Sequence, residues 1–457
     1  MVINTVTTKK NQITQITQIS KISKITTPAN VLIHSLLALV VFSSFNLLAQ
    51  TQVIHAGTLL QVAGEKPLAK QTIVITDGKI IDIKKGFISA NKIAKDAQLI
   101  DLSSSFVMAG LMDMHVHLQG ELGPKNDSQA LRMSDADALM QSAFNAKKTL
   151  MAGFTTVRDL GARAEQIFAL RDGIAKGWID GPRVIAAGTS VSVTGGHGDV
   201  DGLSPDILEM RTSQTVCDGP YDCRRATRRA IKFGADVIKI TSTGGVLSDT
   251  NTGTGQQMAD DELKEVVDAA HALGRKVASH AHAADGINAA LRAGVDSIEH
   301  GSYANKESIK LFKKSGAYLV PTLMAGDTVV GLAKNTNFMS ATIKAKAIRV
   351  GADMIDNFKN SFKSGVKIAY GTDSGVSPHG NNGKEGVLMV QAGMKNSEVL
   401  KSATINAADL IGLSTSLGTI EQGKIADIIA FDGNPLNNIE ELLDVDFVMK
   451  AGKVVKE

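Results

Sequence analysis

The sequence predicts an α/β protein: a (β/α)8 TIM barrel carrying a small β-sandwich domain built from both chain ends. Three observations carry this. Between Val107 and Ile411, eight short β-branched runs alternate with amphipathic helical patterns. Strand-like segments with turn signals stand outside that region, near both ends. Residues able to hold a metal gather where the eight runs end, which is where a barrel of this kind does its chemistry.

The elements follow in order. The chain has 457 residues and a formal net charge of +3, with no basic cluster after its first segment, which argues against a nucleic-acid partner. Residues 1–49 differ from the rest. A polar tract with Lys9, Lys10, Lys21 and Lys24 precedes the apolar run "VLIHSLLALVVFSSFNLLA". A basic segment followed by an apolar one predicts an export signal cut near Gln50, a periplasmic location and no membrane attachment after cleavage. An uncleaved anchor is the alternative, opposed by His34, Ser43, Ser44 and Asn46 within the run.

The β domain is assigned to residues 50–106 and 412–457. "QTIVITDGKIIDIKKG" reads as two strands joined by a turn at Asp77-Gly78, and "VDFVMKAGKVVKE" returns to that style at the far end. Residues 107–411 form the barrel. Its strands are read from "FVMAGLMDMHVH", "FTTVRDL", "RVIAAG", "DVIKITS", "RKVASHAH", "DSIEHG", "AYLVPT" and "VKIAYGTDSG". Helices such as "ADDELKEVVDAAHAL" open on acidic residues and close on glycine, here Gly274. A doubly wound open sheet is the alternative; no glycine-rich phosphate fingerprint supports it. Cys217 and Cys223 are the two cysteines, six residues apart. An oxidising compartment permits a disulfide between them, and two free thiols are the other reading.

Eight of the ten histidines follow residue 110, and all of these but His271 fall at a strand end or in a loop after one. His115 and His117 sit two apart, so in a strand both imidazoles point to one side. His280, Glu299-His300 and Asp373 end later strands. Any one of these histidines reads as a hydrogen-bonded structural residue. Four imidazoles, a carboxylate and a strand-borne lysine converging on one rim make an inventory of metal ligands. Lys239 lies inside a β-branched strand, where burying its charge is costly. A rim salt bridge is one account. The other is a depressed pKa, a neutral amine, and reaction with carbon dioxide to a carbamate able to bridge two metals.

The segments "GLMDMHVHL", "GFTTVRDLG", "TGGHGD", "GADVIKITSTGGVLS", "VASHAHAADGINAALRAGVDSIEHGS" and "YGTDSGVSPHG" resemble the amidohydrolase superfamily. The likeness is to the branch of imidazolonepropionase-related prolidases and carboxypeptidases, from about Ile54 to Val455. The resemblance implies two divalent ions, usually zinc. His115, His117 and Asp373 would hold one and His280 and His300 the other, bridged by carboxylated Lys239 and a hydroxide nucleophile. It implies that His197 and His282 contact the substrate, with Asp373 moving the proton, and it adds His379 to the substrate-binding candidates. Glu299 and Asp113 would orient ligands. The implied substrate is a dipeptide or short peptide cut at its C-terminal bond, as Xaa-Pro or as Xaa-Arg or Xaa-Lys. For a basic residue, Asp199, Asp201 and Asp249 are the candidate pocket acids. A cyclic-amide hydrolase of the imidazolonepropionase type, or a non-catalytic metal-binding barrel, are the competing readings. Assembly into a homo-oligomer stays open.

Overall fold

The fold follows from two sequence periods, alternation in the strands and a 3.6-residue repeat in the helices between them. The computed structural model describes residues 51–250 and 252–457; the expected export signal, residues 1–49, lies outside them. The terminal strands are β1 (Gln52–Leu60), β2 (Leu68–Thr76), β3 (Lys79–Lys85) and β4 (Gln98–Ala109). The central ones are β5 (Leu111–Val116), β6 (Phe154–Asp159), β7 (Arg183–Ala186), β8 (Val237–Thr241), β9 (Lys276–Ala281), β10 (Ser297–His300), β11 (Tyr318–Val320) and β12 (Lys367–Ile368). β13 (Ile428–Phe431), β14 (Phe447–Lys450) and β15 (Lys453–Lys456) complete the set.

The eight central strands match the eight runs read from the sequence. They form two parallel sheets, ordered β5-β6-β7 and β12-β11-β10-β9-β8. Backbone hydrogen bonds span both gaps between these sheets. Val191 N donates to Lys239 O at 2.8 Å on one side, and Met114 N to Tyr370 O at 2.8 Å and Asp373 N to His115 O at 2.7 Å on the other. β5, β6 and β8 are buried at every residue, as parallel strands covered on both faces should be.

The terminal strands depart from the expected sandwich. All seven are hydrogen-bonded into one mixed sheet, β15-β14-β13-β4-β1-β2-β3. The sheet curls, because the edge strand β3 also meets the segment before β13: Ile80 N donates to Lys424 O at 2.9 Å and Gly423 N to Ile80 O at 2.8 Å. Ile54, Ile73, Ile80, Ile428 and Met449 pack together inside the curl. The boundary also shifts. β4 runs on to Ala109, so the expected border at residue 107 falls within a strand of the seven-stranded sheet. The Asp77-Gly78 turn is as expected. Both residues have positive φ, 50° and 70°, the geometry of a two-residue hairpin that glycine favours. Cys217 and Cys223 form a disulfide.

Candidate metal centre and active site

Each strand end delivers its polar residue to the same place. Asp113 and His115 share one face of β5 and His117 follows its last residue, while Met112 and Met114 on the other face enter a separate apolar cluster. β8 brings Lys239, β9 His280 and His282, β10 Glu299 and His300, and the segment after β12 brings Asp373. His115, His117, His197, Lys239, His280, His282, His300 and Asp373 all line one cavity of about 440 Å³. His379 does not. Its Nε2 lies 3.1 Å from Gly120 O, and the ring borders a different cleft with Phe144 and Lys148. His271 pairs with Asp296 at 2.9 Å on the outside, as its helical position predicts.

Backbone strain concentrates here. Six non-glycine residues have positive φ among the described residues, and three of them, His300 (71°), Thr322 (52°) and Asp373 (58°), belong to this rim. The left-handed turn at His300 has a consequence that strand alternation hides. Glu299 and His300 are neighbours, yet Glu299 Oε2 lies 2.9 Å from His115 Nδ1 and the His300 ring sits 5.2 Å from the His115 ring.

Hydrogen bonds on the far side of each ring set what faces the cavity. His117 Nδ1 meets Gly161 O at 2.8 Å, and His115 Nδ1 meets the Glu299 carboxylate. Both partners only accept, so both Nδ1 atoms carry the proton and both Nε2 atoms offer a lone pair. His280 is turned round, with Nε2 at 3.4 Å from Gly244 O and Nδ1 left for the cavity. His197, His282 and His300 instead meet hydroxyls through Nδ1: Ser248 at 2.6 Å, Ser302 at 2.8 Å and Thr322 at 2.7 Å. A hydroxyl can donate or accept, so these three rings can present either a lone pair or an N–H.

These residues fit divalent cations. Asp373 Oδ1 lies 3.2 Å from His117 Nε2 and 3.6 Å from His115 Nε2, yet it is buried and forms no hydrogen bond. An acceptor facing lone pairs needs a proton or a cation between them. Desolvation lowers the pKa of His117, but the Asp373 carboxylate raises it by more. Two groups of donor atoms close enough to share an ion are His115, His300 and Asp373, and His280, His282 and His300. His282 therefore stands within ligand distance beside His280 and His300.

Lys239 makes no ion pair with any carboxylate among the described residues, so the rim salt bridge is not formed. Burial lowers its pKa to about 8, against the pull of Glu299 and Asp373. Beneath the site, Arg158 is fully buried. It donates to Met114 O at 2.7 Å, Ser297 Oγ at 3.1 Å and Glu299 Oε1 at 2.9 Å. Asp113 accepts from Thr372 Oγ1 at 2.6 Å and Asn382 Nδ2 at 2.8 Å, tying β5 to the segment that carries Asp373.

Burial also sets a pH response. It lowers His115, His282 and His379 to about 4 and His197 to about 3, and depresses His280 and His300 further. Below pH 6.5 the unfolded chain binds protons that these folded imidazoles refuse, so their contribution to stability falls as pH falls from 6.5 toward 4. Asp113 and Asp159, both raised by burial to about 6, and Glu385, raised to about 8, act in the opposite sense. His117, raised by Asp373, joins these carboxyls, while Glu299 and Asp373, held below the usual carboxylate range, join the six imidazoles. The larger set destabilises on acidification, so thermal unfolding of metal-free protein should shift to lower temperature between pH 6.5 and 4. A transition temperature that rises over that interval would contradict the assignment.

The structure adds residues that the sequence did not mark. Two helices between β11 and β12, Leu323–Asn335 and Ala341–Lys363, close the cavity with Val329, Val350 and Met354. The wall is apolar, and the expected pocket acids are elsewhere. Asp199 accepts from Gly195 N and Val200 N, Asp201 from Asp249 N, and Asp249 from Ser340 Oγ; none of the three lines the cavity. Lys346, on the long helix, is buried and donates to Gly245 O at 3.0 Å and to Ser248 O. Ser248 holds His197, and Gly245 lies so close that a Cβ there would stand 2.1 Å from the His197 ring. Lys346→Met should therefore free this loop at a cost of roughly 1–3 kcal/mol of stability. Turnover should fall more than metal content, which metal analysis beside steady-state kinetics would check.

A cavity of histidines around one carboxylate, set at the ends of eight parallel strands, offers the donors of a metal-dependent hydrolase, and comparison with known proteins makes it one acting on C–N bonds. Residues 106–455 match the amidohydrolase family model, and the chain belongs to that family. It is similar to a Xaa-Pro dipeptidase whose crystal structure holds methionine in the active site. The TM-score is 0.85 at 41% identity, over 89% of this chain and 100% of the other. It is 32% identical over 434 residues to ochratoxinase of Aspergillus niger, covering 89% of this chain and 87% of that protein. It is 24% identical over 423 residues to imidazolonepropionase of Alkaliphilus oremlandii, covering 84% and 90%.

Proposed function

We propose that the chain is a binuclear-metal amidohydrolase, a closed (β/α)8 barrel that cuts the C-terminal peptide bond of dipeptides or short peptides ending in an apolar residue. The observation that carries this is Asp373 Oδ1, buried without a hydrogen bond and facing the Nε2 atoms of His115 and His117. The backbone bonds across both gaps between the parallel sheets support closure of the barrel.

His115, His117 and Asp373 would hold one ion, and His280 and His300 the other. Lys239, its pKa lowered by burial to about 8, would react as the neutral amine with carbon dioxide, releasing a proton, and the carbamate would supply an anionic oxygen ligand beside the imidazoles. Zinc is the proposed metal, given the imidazole-rich donors. Bound divalent cations supply Lewis-acid polarisation of the scissile carbonyl and acidify water at neutral pH. The protein's own part is to place and move protons. Asp373 takes a proton from the attacking water and returns it to the leaving nitrogen. His197 or His282, with a hydroxyl donating to Nδ1, turns an Nε2–H toward the carbonyl oxygen.

The apolar wall of Val329, Val350 and Met354 supports an apolar C-terminal residue over arginine or lysine. The methionine held by the similar dipeptidase agrees. Export to an oxidising compartment is part of the proposal, supported by the Cys217–Cys223 disulfide. The test is a dipeptide panel with varied C-terminal residues on zinc-loaded protein, with cyclic amides alongside. Release of proline, leucine or methionine, abolished by chelator and restored by zinc, is expected. Cleavage of cyclic amides without any dipeptide would overturn the reading in favour of an imidazolonepropionase-like enzyme. Fewer than two ions per chain with no hydrolysis would favour a binding protein.

A further inference from the structure

A helix begins at Leu323, just after Thr322 in "PTLMAGD". The first N–H groups of any helix lack partners inside it. Here Ala325 N and Gly326 N fall back on Thr322 O, at 3.1 and 3.4 Å, which leaves Leu323 N and Met324 N. Both residues are buried, so bulk water is not their partner. A threonine just before a helix ordinarily accepts such a bond through its own hydroxyl. Thr322 does not. Its Oγ1 lies 2.7 Å from His300 Nδ1 instead, and its backbone is left-handed at φ 52°.

The two N–H groups are taken by a carboxylate from another helix, Lys384–Gln391. Leu323 N donates to Glu385 Oε1 at 2.9 Å, and Met324 N to Glu385 Oε2 at 2.7 Å. Glu385 is fully buried, and a carboxyl in that position is costly unless its oxygens find donors. The turn that carries it is fixed in its own right. Tyr370 Oη donates to Asn382 O at 2.6 Å and accepts from Gly386 N at 2.9 Å.

One hydroxyl thus faces two demands. Without Glu385, the Leu323 and Met324 N–H groups would draw the Thr322 oxygen as their acceptor. With Glu385 in place, that oxygen is left to accept from His300 Nδ1, which keeps the proton on Nδ1 and the Nε2 lone pair for a metal. The same helix lines the cavity with Ala325, Gly326 and Val329. Resting on the reading of His300 as a metal ligand, we infer that Glu385 is a positioning residue for the metal centre. It supplies the helix cap in place of Thr322 and so commits the Thr322 hydroxyl to His300.

The test is zinc titration of metal-free full-length protein against a competing chelator, where the parent should bind two ions per chain. Glu385→Gln keeps the shape but leaves one acceptor for two N–H groups. It should weaken one of the two ions by about 10–100-fold and leave the other within about threefold. Thr322→Val should do the same, while Thr322→Ser, which keeps the hydroxyl, should hold both ions within about threefold of the parent. Combining Glu385→Gln with Thr322→Val should cost no more affinity than Thr322→Val alone, because both act through one bond. Parent-like binding by Glu385→Gln, equal weakening of both ions, or losses that add in the double variant would each overturn the inference and leave the metal centre intact. Thr322→Val decides the matter if Glu385→Gln does not fold: selective loss of one ion, with Thr322→Ser unaffected, supports the inference, and parent-like binding overturns it. A parent that binds fewer than two ions overturns the binuclear reading and this inference with it.

Discussion

Asp373→Asn should lower kcat/KM by about a thousandfold at saturating zinc while leaving the protein folded. The amide is the same shape as the carboxylate, so the left-handed backbone at 58° and the bond from Asp373 N to His115 O are undisturbed. What it removes is the anionic oxygen 3.2 Å from His117 and 3.6 Å from His115, and with it the group that carries the proton. Metal content should fall as well, because the ligand set loses its one anionic carboxylate and keeps only imidazoles. Activity within tenfold of the parent would show that Asp373 does not move the proton.

Glu299→Gln should be the most damaging change to stability among residues that do not face the substrate. Arg158 and Glu299 are an ion pair in the interior, with side chains 2% and 0% exposed. Burial opposes ionisation of Glu299, but Arg158 and His115 hold its pKa at about 2. Removing its charge strands the guanidinium without a counter-charge, at a cost of about 3–5 kcal/mol. The same carboxylate accepts from His115 Nδ1 at 2.9 Å, so the variant should also bind zinc about 10–100-fold more weakly. Denaturant unfolding of metal-free protein and competition with a chelator separate the two effects. Combining Glu299→Gln with Arg158→Met should recover part of the lost stability, since the stranded charge is gone. If the double variant is no more stable than the single one, buried charge is not the reason for the loss.

The two changes also show which parts of the site the sequence exposes. Asp373 is visible in "YGTDSG" because it ends a β-branched run, as His115, His280 and His300 do in theirs. Glu299 is visible as a neighbour of His300, but its partner Arg158 is not, because nothing local says that a mid-strand arginine in "FTTVRDL" points inward. Lys346 and the apolar wall escaped notice for a related reason. They lie on helices of ordinary amphipathic pattern, and only packing decides that their inner face borders the cavity rather than plain core.

Strand count, strand ends and the convergence of four imidazoles, Lys239 and Asp373 were legible in the sequence by itself. All are local: alternation, β-branching and glycine stops specify each strand, and parallel connection places every strand end on one side. The single curled sheet in place of a sandwich, the strained φ at His300 and Asp373, and the burial of Arg158 were decided only by tertiary structure. So were the removal of His379, Asp199, Asp201 and Asp249 from the cavity. Each depends on which distant segment occupies the neighbouring space, and a one-dimensional pattern carries a residue's period but not its partner.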